Sequence, residues 1–167
     1  MKMNPFFVLL IVAFSISCDS STVEEEEATF QTEQTGKVEN AFTLTMEEAT
    51  LFDLFNAHRQ SRALSPLTFS EEAYSYAEAH NEYMISKGEL SHEGFGERAS
   101  RISRELQADF VAENVAKDYT SAEAALEGWL ESADHRNTIE GDFTHSTLSI
   151  TLDPEGNPYY TQIFFRK

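Results

Sequence analysis

Disulfides are the first thing this chain of 167 residues does without: it has one cysteine, Cys18, and a lone thiol has no partner within the chain. Basic residues are scarce as well. Twelve Lys and Arg stand against 29 Asp and Glu, for a formal charge of −17. Phosphate recognition needs a basic surface, so the balance argues against nucleic acid as a partner. It also gives an anionic membrane surface no electrostatic hold on the chain. Long apolar runs are missing: Phe6 to Phe14 is too short for an ordinary membrane span. There is no internal repeat, Gly-rich phosphate loop, nucleophile elbow or closely spaced Cys/His zinc pattern.

What is present starts with a secretory signal shape. Lys2 precedes the apolar run, and small polar residues follow it. Ser15-Ile16-Ser17-Cys18 resembles the lipobox of bacterial lipoproteins, although Ser15 stands where leucine is usual. Lipidation accounts for a lone cysteine at the point where the signal should end; an incidental cysteine in an uncleaved segment is the alternative. Residues 1–18 are therefore expected to be a lipoprotein signal peptide with Cys18 lipidated, which anchors the product extracytoplasmically, in the periplasm or on the cell surface. Residues 19–43 contain Glu24 to Glu27 and lack apolar periodicity, the composition of a disordered acidic tether.

Residues 44–167 have the pattern of one folded domain. The hydrophobic fraction of 41% and 13 phenylalanines suffice for a core. Thr45 and Glu48 form a capping box, and Leu51, Leu54, Phe55 and His58 share one face of a helix running to about Arg62. Ser65-Pro66 breaks it. Ser70 reads as the N-cap of a second helix lined by Ala73, Ala77, His80 and Met84 and stopped at Gly88. A loop holding His92 leads to a short helix over 96–106 with Arg98, Arg101 and Arg104 on its surface. Phe110 to Ala116 is a buried strand bearing Glu113.

Thr120 and Glu123 then form a second capping box. Ala122, Ala125, Leu126, Trp129 and Leu130 make the apolar stripe of a helix that ends in a polar turn carrying His135. Trp129, the only tryptophan, is a core anchor whose indole N–H needs an acceptor. Thr147 to Leu152 alternates as a half-buried strand, and Tyr159 to Phe165 is its return partner across a turn. Helices first and a hairpin last give an α+β class.

Asn56-x-x-Arg59, Ser91-His92, Glu113-Asn114, Trp129-x-x-Ser132-x-x-His135-Arg136-x-Asn137 and Tyr160-x-Gln162-x-Phe164 occur in this order. The ordered set resembles the CAP superfamily (cysteine-rich secretory proteins, antigen 5, pathogenesis-related 1), in its bacterial secreted SCP-like branch. The resemblance implies an α-β-α sandwich with a small antiparallel sheet flanked by helices. It also implies a cleft in which His92, Glu113 and His135 take three of four places. The fourth acid is replaced by Ser132, with Glu131 one residue earlier, about 100° round the helix.

Imidazoles and a carboxylate suit Zn2+ or another divalent metal, so His92, His135 and Glu113 are candidate ligands. In that reading Glu113 is the general base of a metal-dependent hydrolase. The plainer reading is a satisfied polar patch in a binding module for a metal ion, a small lipid or a protein partner. No single enzymatic activity is established across the family, and the binding module is the preferred reading. His58 and His80 are expected to be packed or boundary histidines, His145 a surface residue, Asn114 a backbone fastener and Arg136 a helix-end cap.

Overall fold

The computed structural model describes residues 42–167. The expected signal peptide with its lipidated Cys18, and nearly all of the expected tether, lie outside the described residues. Phe42 already belongs to the folded part, stacking on Phe69 and meeting the Tyr74 ring edge-on at 4.8 Å.

Helix α1 (Met46–Ser61) starts with the expected capping box: Thr45 Oγ1 accepts from Glu48 N, and Glu48 Oε2 accepts from Thr45 N at 2.8 Å. Glu48 has a further role. Its other oxygen accepts from the Tyr74 hydroxyl and from Ile150 N, so one buried carboxylate joins two helices and a strand. A two-residue strand β1 (Thr68–Phe69) follows, then α2 (Tyr74–Lys87), which ends at Gly88 in the left-handed region, where only glycine adopts φ of 71° without strain. Ser70 is not the cap of α2. Ala73 holds that position, and the buried Ser70 donates instead to Glu72.

Next come α3 (Phe95–Leu106), β2 (Phe110–Lys117), α4 (Ala122–Glu131), α5 (Ala133–Ile139), β3 (His145–Leu152) and β4 (Pro158–Arg166). Two further expectations need correction. Ser121, not Thr120, caps α4, its hydroxyl accepting from Ala124 N. His135 lies within a seven-residue helix, because the chain bends only at Ser132 and resumes helical geometry at once.

The sheet order is β1-β3-β4-β2. β2 and β3 both run antiparallel to β4, while short β1 runs parallel to β3. Strand alternation sends successive side chains to opposite faces. Ala116, Leu148, Tyr160 and Phe164 pack with Leu51, Phe55 and Trp129 of α1 and α4. Ile163 and Phe165 pack with Ala73, Ala77 and Ile102 of α2 and α3, and Val115 and Tyr159 pack with Met84. Helices on both faces make the α-β-α sandwich. They also explain why β3 is buried along Ser146–Ser149 rather than half-buried: both its faces are covered. Trp129 is 1% exposed and its indole donates to Val115 O at 3.1 Å, the acceptor its burial requires.

Candidate functional site

β2 is an edge strand, and the site forms along it. Glu113 projects toward the α2–α3 layer with its side chain only 1% exposed. A carboxylate taken out of water needs compensation, and the principal one is Arg98. Arg98 Nε donates to Glu113 Oε2 at 2.7 Å and its Nη2 donates to Oε1 at 2.8 Å, a bidentate fork. A third Arg98 nitrogen donates to Glu93 O at 3.3 Å. The sequence places Arg98 on the surface with Arg101 and Arg104, but only those two are there. Arg98 lies four residues before Ile102, the buried residue of α3, so both face the sheet.

His92 comes from the α2–α3 loop, and its Nδ1 lies 3.0 Å from Glu113 Oε1. An ion-paired carboxylate only accepts, so Nδ1 carries the proton that it donates, and Nε2 is the nitrogen turned away from Glu113. The His92 side chain is 51% exposed, which puts that nitrogen within reach of solvent or ligand.

His80 joins the cluster from α2. It is buried, and its Nε2 lies 3.7 Å from Glu113 Oε1 and 2.8 Å from Ser91 O. A carbonyl cannot donate, so Nε2–H is the donor, and His80 ties down the residue just before His92. Burial lowers its pKa, the effect outweighing the opposing pull of Glu113. The expectation of a packed histidine is met, with a function in the site added. The sequence signal was an imidazole within the stripe Ala73, Ala77, His80, Met84: an ionisable group on a core face needs a polar partner there.

His135 approaches the same edge from the other layer. Asn114, the neighbour of Glu113, faces α5 and donates to His135 O at 3.1 Å, so it fastens the backbone of α5 and not, as expected, the backbone beside Glu113. The His135 pKa is lowered, first by burial and then by nearby His92. Among the described residues no hydrogen bond or ion pair joins the His135 ring to Glu113. Glu131 is exposed at the end of α4. Ser132, at the joint, makes no capping hydrogen bond to α5 through its side chain. Arg136 donates to Leu130 O at 2.6 Å, closing the end of α4 as expected.

The zinc set is not assembled. Among the described residues no group of three or more His, Cys, Asp or Glu stands where it could hold a metal ion. The donor chemistry agrees: both Glu113 oxygens already accept from the Arg98 guanidinium, and a divalent cation bound there would have to displace that positive charge or face it. Glu113 is likewise committed as an acceptor and is not a free base. The remaining histidines lie apart from the cluster. His58 pairs with Glu140 at 2.9 Å, and His145 stacks on Phe165 at 5.3 Å.

Beside the cluster, between α2 and α3, a cleft of about 520 Å³ is lined by Tyr76, His80, Tyr83, Glu97, Arg98 and Arg101, among others. His80 and Arg98 therefore face both Glu113 and the cleft.

A three-layer sandwich with a carboxylate–guanidinium–imidazole cluster on the edge strand of its sheet is the class of domain these observations define. The sequence model of the cysteine-rich secretory protein family, CAP, matches residues 52–164, and the chain belongs to that family. It is 33% identical over 128 residues to the uncharacterized membrane protein YlbC of Bacillus subtilis (strain 168), covering 74% of this chain and 35% of that protein. It is 27% identical over 156 residues to the uncharacterized protein YkwD of the same organism, covering 90% of this chain and 59% of that one. The chain thus spans less than two thirds of either relative.

Among solved structures, an extracellular SCP-domain protein of Bacillus anthracis superposes with a TM-score of 0.62 at 27% identity, over 76% of this chain and 45% of that one. An outer surface protein of Borrelia burgdorferi superposes with a TM-score of 0.67 over 75% of this chain and 96% of that one. At 15% identity it shares the fold alone. No described helix is long and apolar enough to cross a membrane.

Proposed function

We propose that this chain is an extracytoplasmic recognition domain, tethered to a membrane through lipidated Cys18, whose His92–Glu113–Arg98–His80 cluster binds rather than turns over its ligand. One observation carries the reading: both oxygens of Glu113 are engaged by Arg98, and one of them also by His92. A carboxylate held this way organises its neighbours instead of accepting a substrate proton. The adjoining cleft, with tyrosines, charged groups of both signs and a buried imidazole, suits a small polar ligand with apolar parts or a segment of a protein partner. The signal shape before Cys18 and the descriptions of two relatives, one a membrane protein and one extracellular, support the placement outside the cytoplasm.

A second reading rests on the half-exposed His92. With Nδ1 fixed by Glu113, its Nε2 has the orientation of a general base, with Glu113 as the orienting carboxylate. The test is a turnover screen on ester, amide and phosphodiester substrates, with and without added zinc, comparing the native chain with Glu113→Gln and His92→Ala. The recognition reading expects no turnover that depends on either residue. Turnover in the native chain that both variants lose would overturn it in favour of the His92 base. Turnover appearing only with zinc, and lost in a His92→Ala/His135→Ala variant, would restore the metal mechanism.

A further inference from the structure

At the end of the sheet where β2 leaves and β4 begins, a separate cavity of about 640 Å³ opens between the start of α1, the β2–α4 loop and the β3–β4 turn. Its lining includes Glu47, Asp118, Tyr119, Ile150, Leu152 and Tyr160, none of which belongs to the His/Glu cluster. The lining combines two carboxylates, two phenol rings and two aliphatic side chains with neutral Thr45, Thr120 and Asn157, and contains no Lys or Arg. The Tyr119 and Tyr160 rings meet edge to face, centroids 6.4 Å apart at 73°, and the Tyr160 hydroxyl donates to Tyr119 O at 3.0 Å, so the aromatic corner is held rigidly. Leu152, 63% exposed, extends the apolar wall outward.

The two carboxylates differ. Asp118 sits at φ 66°, a left-handed conformation rare for a residue with a side chain, and Lys117 approaches it at 3.6 Å. Glu47 has no hydrogen-bond or ion-pair partner among the described residues. Glu47 stands in the first turn of α1, where the N–H of Glu48 is already taken by the Thr45 hydroxyl and Glu48 turns back to Thr45 N. The Glu47 charge is close enough to Tyr160 to add to the burial that pushes this phenol up to about 12.

We infer that this cavity is a binding site for an organic cation with an apolar body, its ammonium or guanidinium group held by Glu47 and the Tyr119 ring, which the buried Tyr160 keeps in place, and its hydrocarbon part laid on Ile150 and Leu152. Cations are attracted both to the faces of aromatic rings and to an unpaired carboxylate, and an aliphatic wall removes the rest of such a ligand from water. An anion would meet two carboxylates, and a neutral apolar molecule would leave Glu47 partly desolvated and unpaired. The inference stands apart from the proposed function, since it uses none of the same residues.

The test is a titration of the isotopically labelled full chain, read by amide shifts, with hexyltrimethylammonium, hexanol and hexanoate as probes. The cation is expected to shift the amides of residues 118–120, 150–152 and 156–157 as one saturable site. Its affinity should fall about tenfold in Glu47→Gln, the size of one favourable charge contact, and stay unchanged in Glu127→Gln on α4. Gly128→Ala gives a second handle, because a Cβ there would overlap the Tyr119 hydroxyl and displace the ring; cation binding should weaken in that variant too. Two further probes separate natural sources: tighter binding of choline points to a small molecule or headgroup, and tighter binding of a Leu-Lys-Leu peptide to a protein segment. Either supports the site. Hexanol binding as tightly as the cation, a Glu47→Gln variant that binds the cation as well as the native chain, or shifts scattered over the acidic surface would each overturn it.

Discussion

Arg98 is the residue on which the candidate site turns. Removing it leaves the buried Glu113 carboxylate with His92 as its one side-chain hydrogen-bond donor among the described residues, so Arg98→Ala should lower unfolding stability by about 3 kcal/mol, as loss of one partner of a buried pair typically does. Replacing both partners, as Arg98→Met with Glu113→Gln, should cost clearly less than the sum of the single changes, because the uncompensated charge is then gone. Urea unfolding of the three variants checks this, and simple additivity would mean that the two side chains are not energetically coupled. Histidine protonation gives a second prediction at this scale. His80, His135 and His145 all have pKa values lowered by burial, so below the ordinary value of 6.5 the unfolded chain takes up more protons than the folded one. Stability from these groups is therefore complete above about pH 6.5 and lost as the pH falls toward their folded pKa values. Urea midpoints at pH 7.5, 6.5 and 5.5 should decline in that order, and His80→Gln should flatten the decline. A midpoint independent of pH across this window would show that the histidines ionise freely in the folded state.

Among the elements, the helix starts distinguish local pattern from realised geometry. Two hydroxyls stand side by side before α4, and pattern alone chooses Thr120 because Glu123 lies three residues on. The fold chooses Ser121, whose extended backbone aims its hydroxyl at Ala124 N. Ser121→Ala should consequently cost about 1 kcal/mol, whereas Thr120→Ala, on an exposed residue, should stay within about 0.5 kcal/mol. Thermal unfolding of both variants decides it, and the reverse order would restore the capping box first inferred. α3 teaches a related lesson. Three arginines at a spacing of three look like one solvated stripe, yet successive steps of about 300° carry each residue about 60° round the helix, enough to separate Arg98 from Arg104 by about a third of a turn. Only the sheet beneath α3 determines which of the three is inside.

At the scale of the whole molecule, charge and anchoring are linked. A chain of net charge −17 is repelled by anionic lipid, so the proposed membrane residence rests on the lipidated Cys18 and not on electrostatic attraction of the domain surface. Cys18→Ala should release the expressed protein from the membrane fraction and abolish labelling by palmitate. Retention of the variant at the membrane, unlabelled, would sink the lipoprotein reading and direct attention to the apolar run itself.

The sequence by itself determined most of the elements, the class of the fold and the order of the motifs, though not β1, α5 or the caps of α2 and α4. The Thr45–Glu48 capping pair, the Trp129 stripe, the turn before β4 and the stop at Gly88 are local, set by residues within a turn or two of one another. The tertiary structure alone decided which polar groups meet. Glu113 and Arg98 are 15 residues apart, Glu113 and His80 are further apart still, and Glu48 reaches Ile150 across 102 residues. No periodicity encodes such pairings; they arise because strand alternation and helix rotation bring particular side chains into one dry layer, where a buried charge must find an opposite charge or a donor. For that reason His92 and Glu113 were legible as site residues from their motifs. Arg98, which holds the carboxylate, is placed in the site only by the packing of α3 against β2.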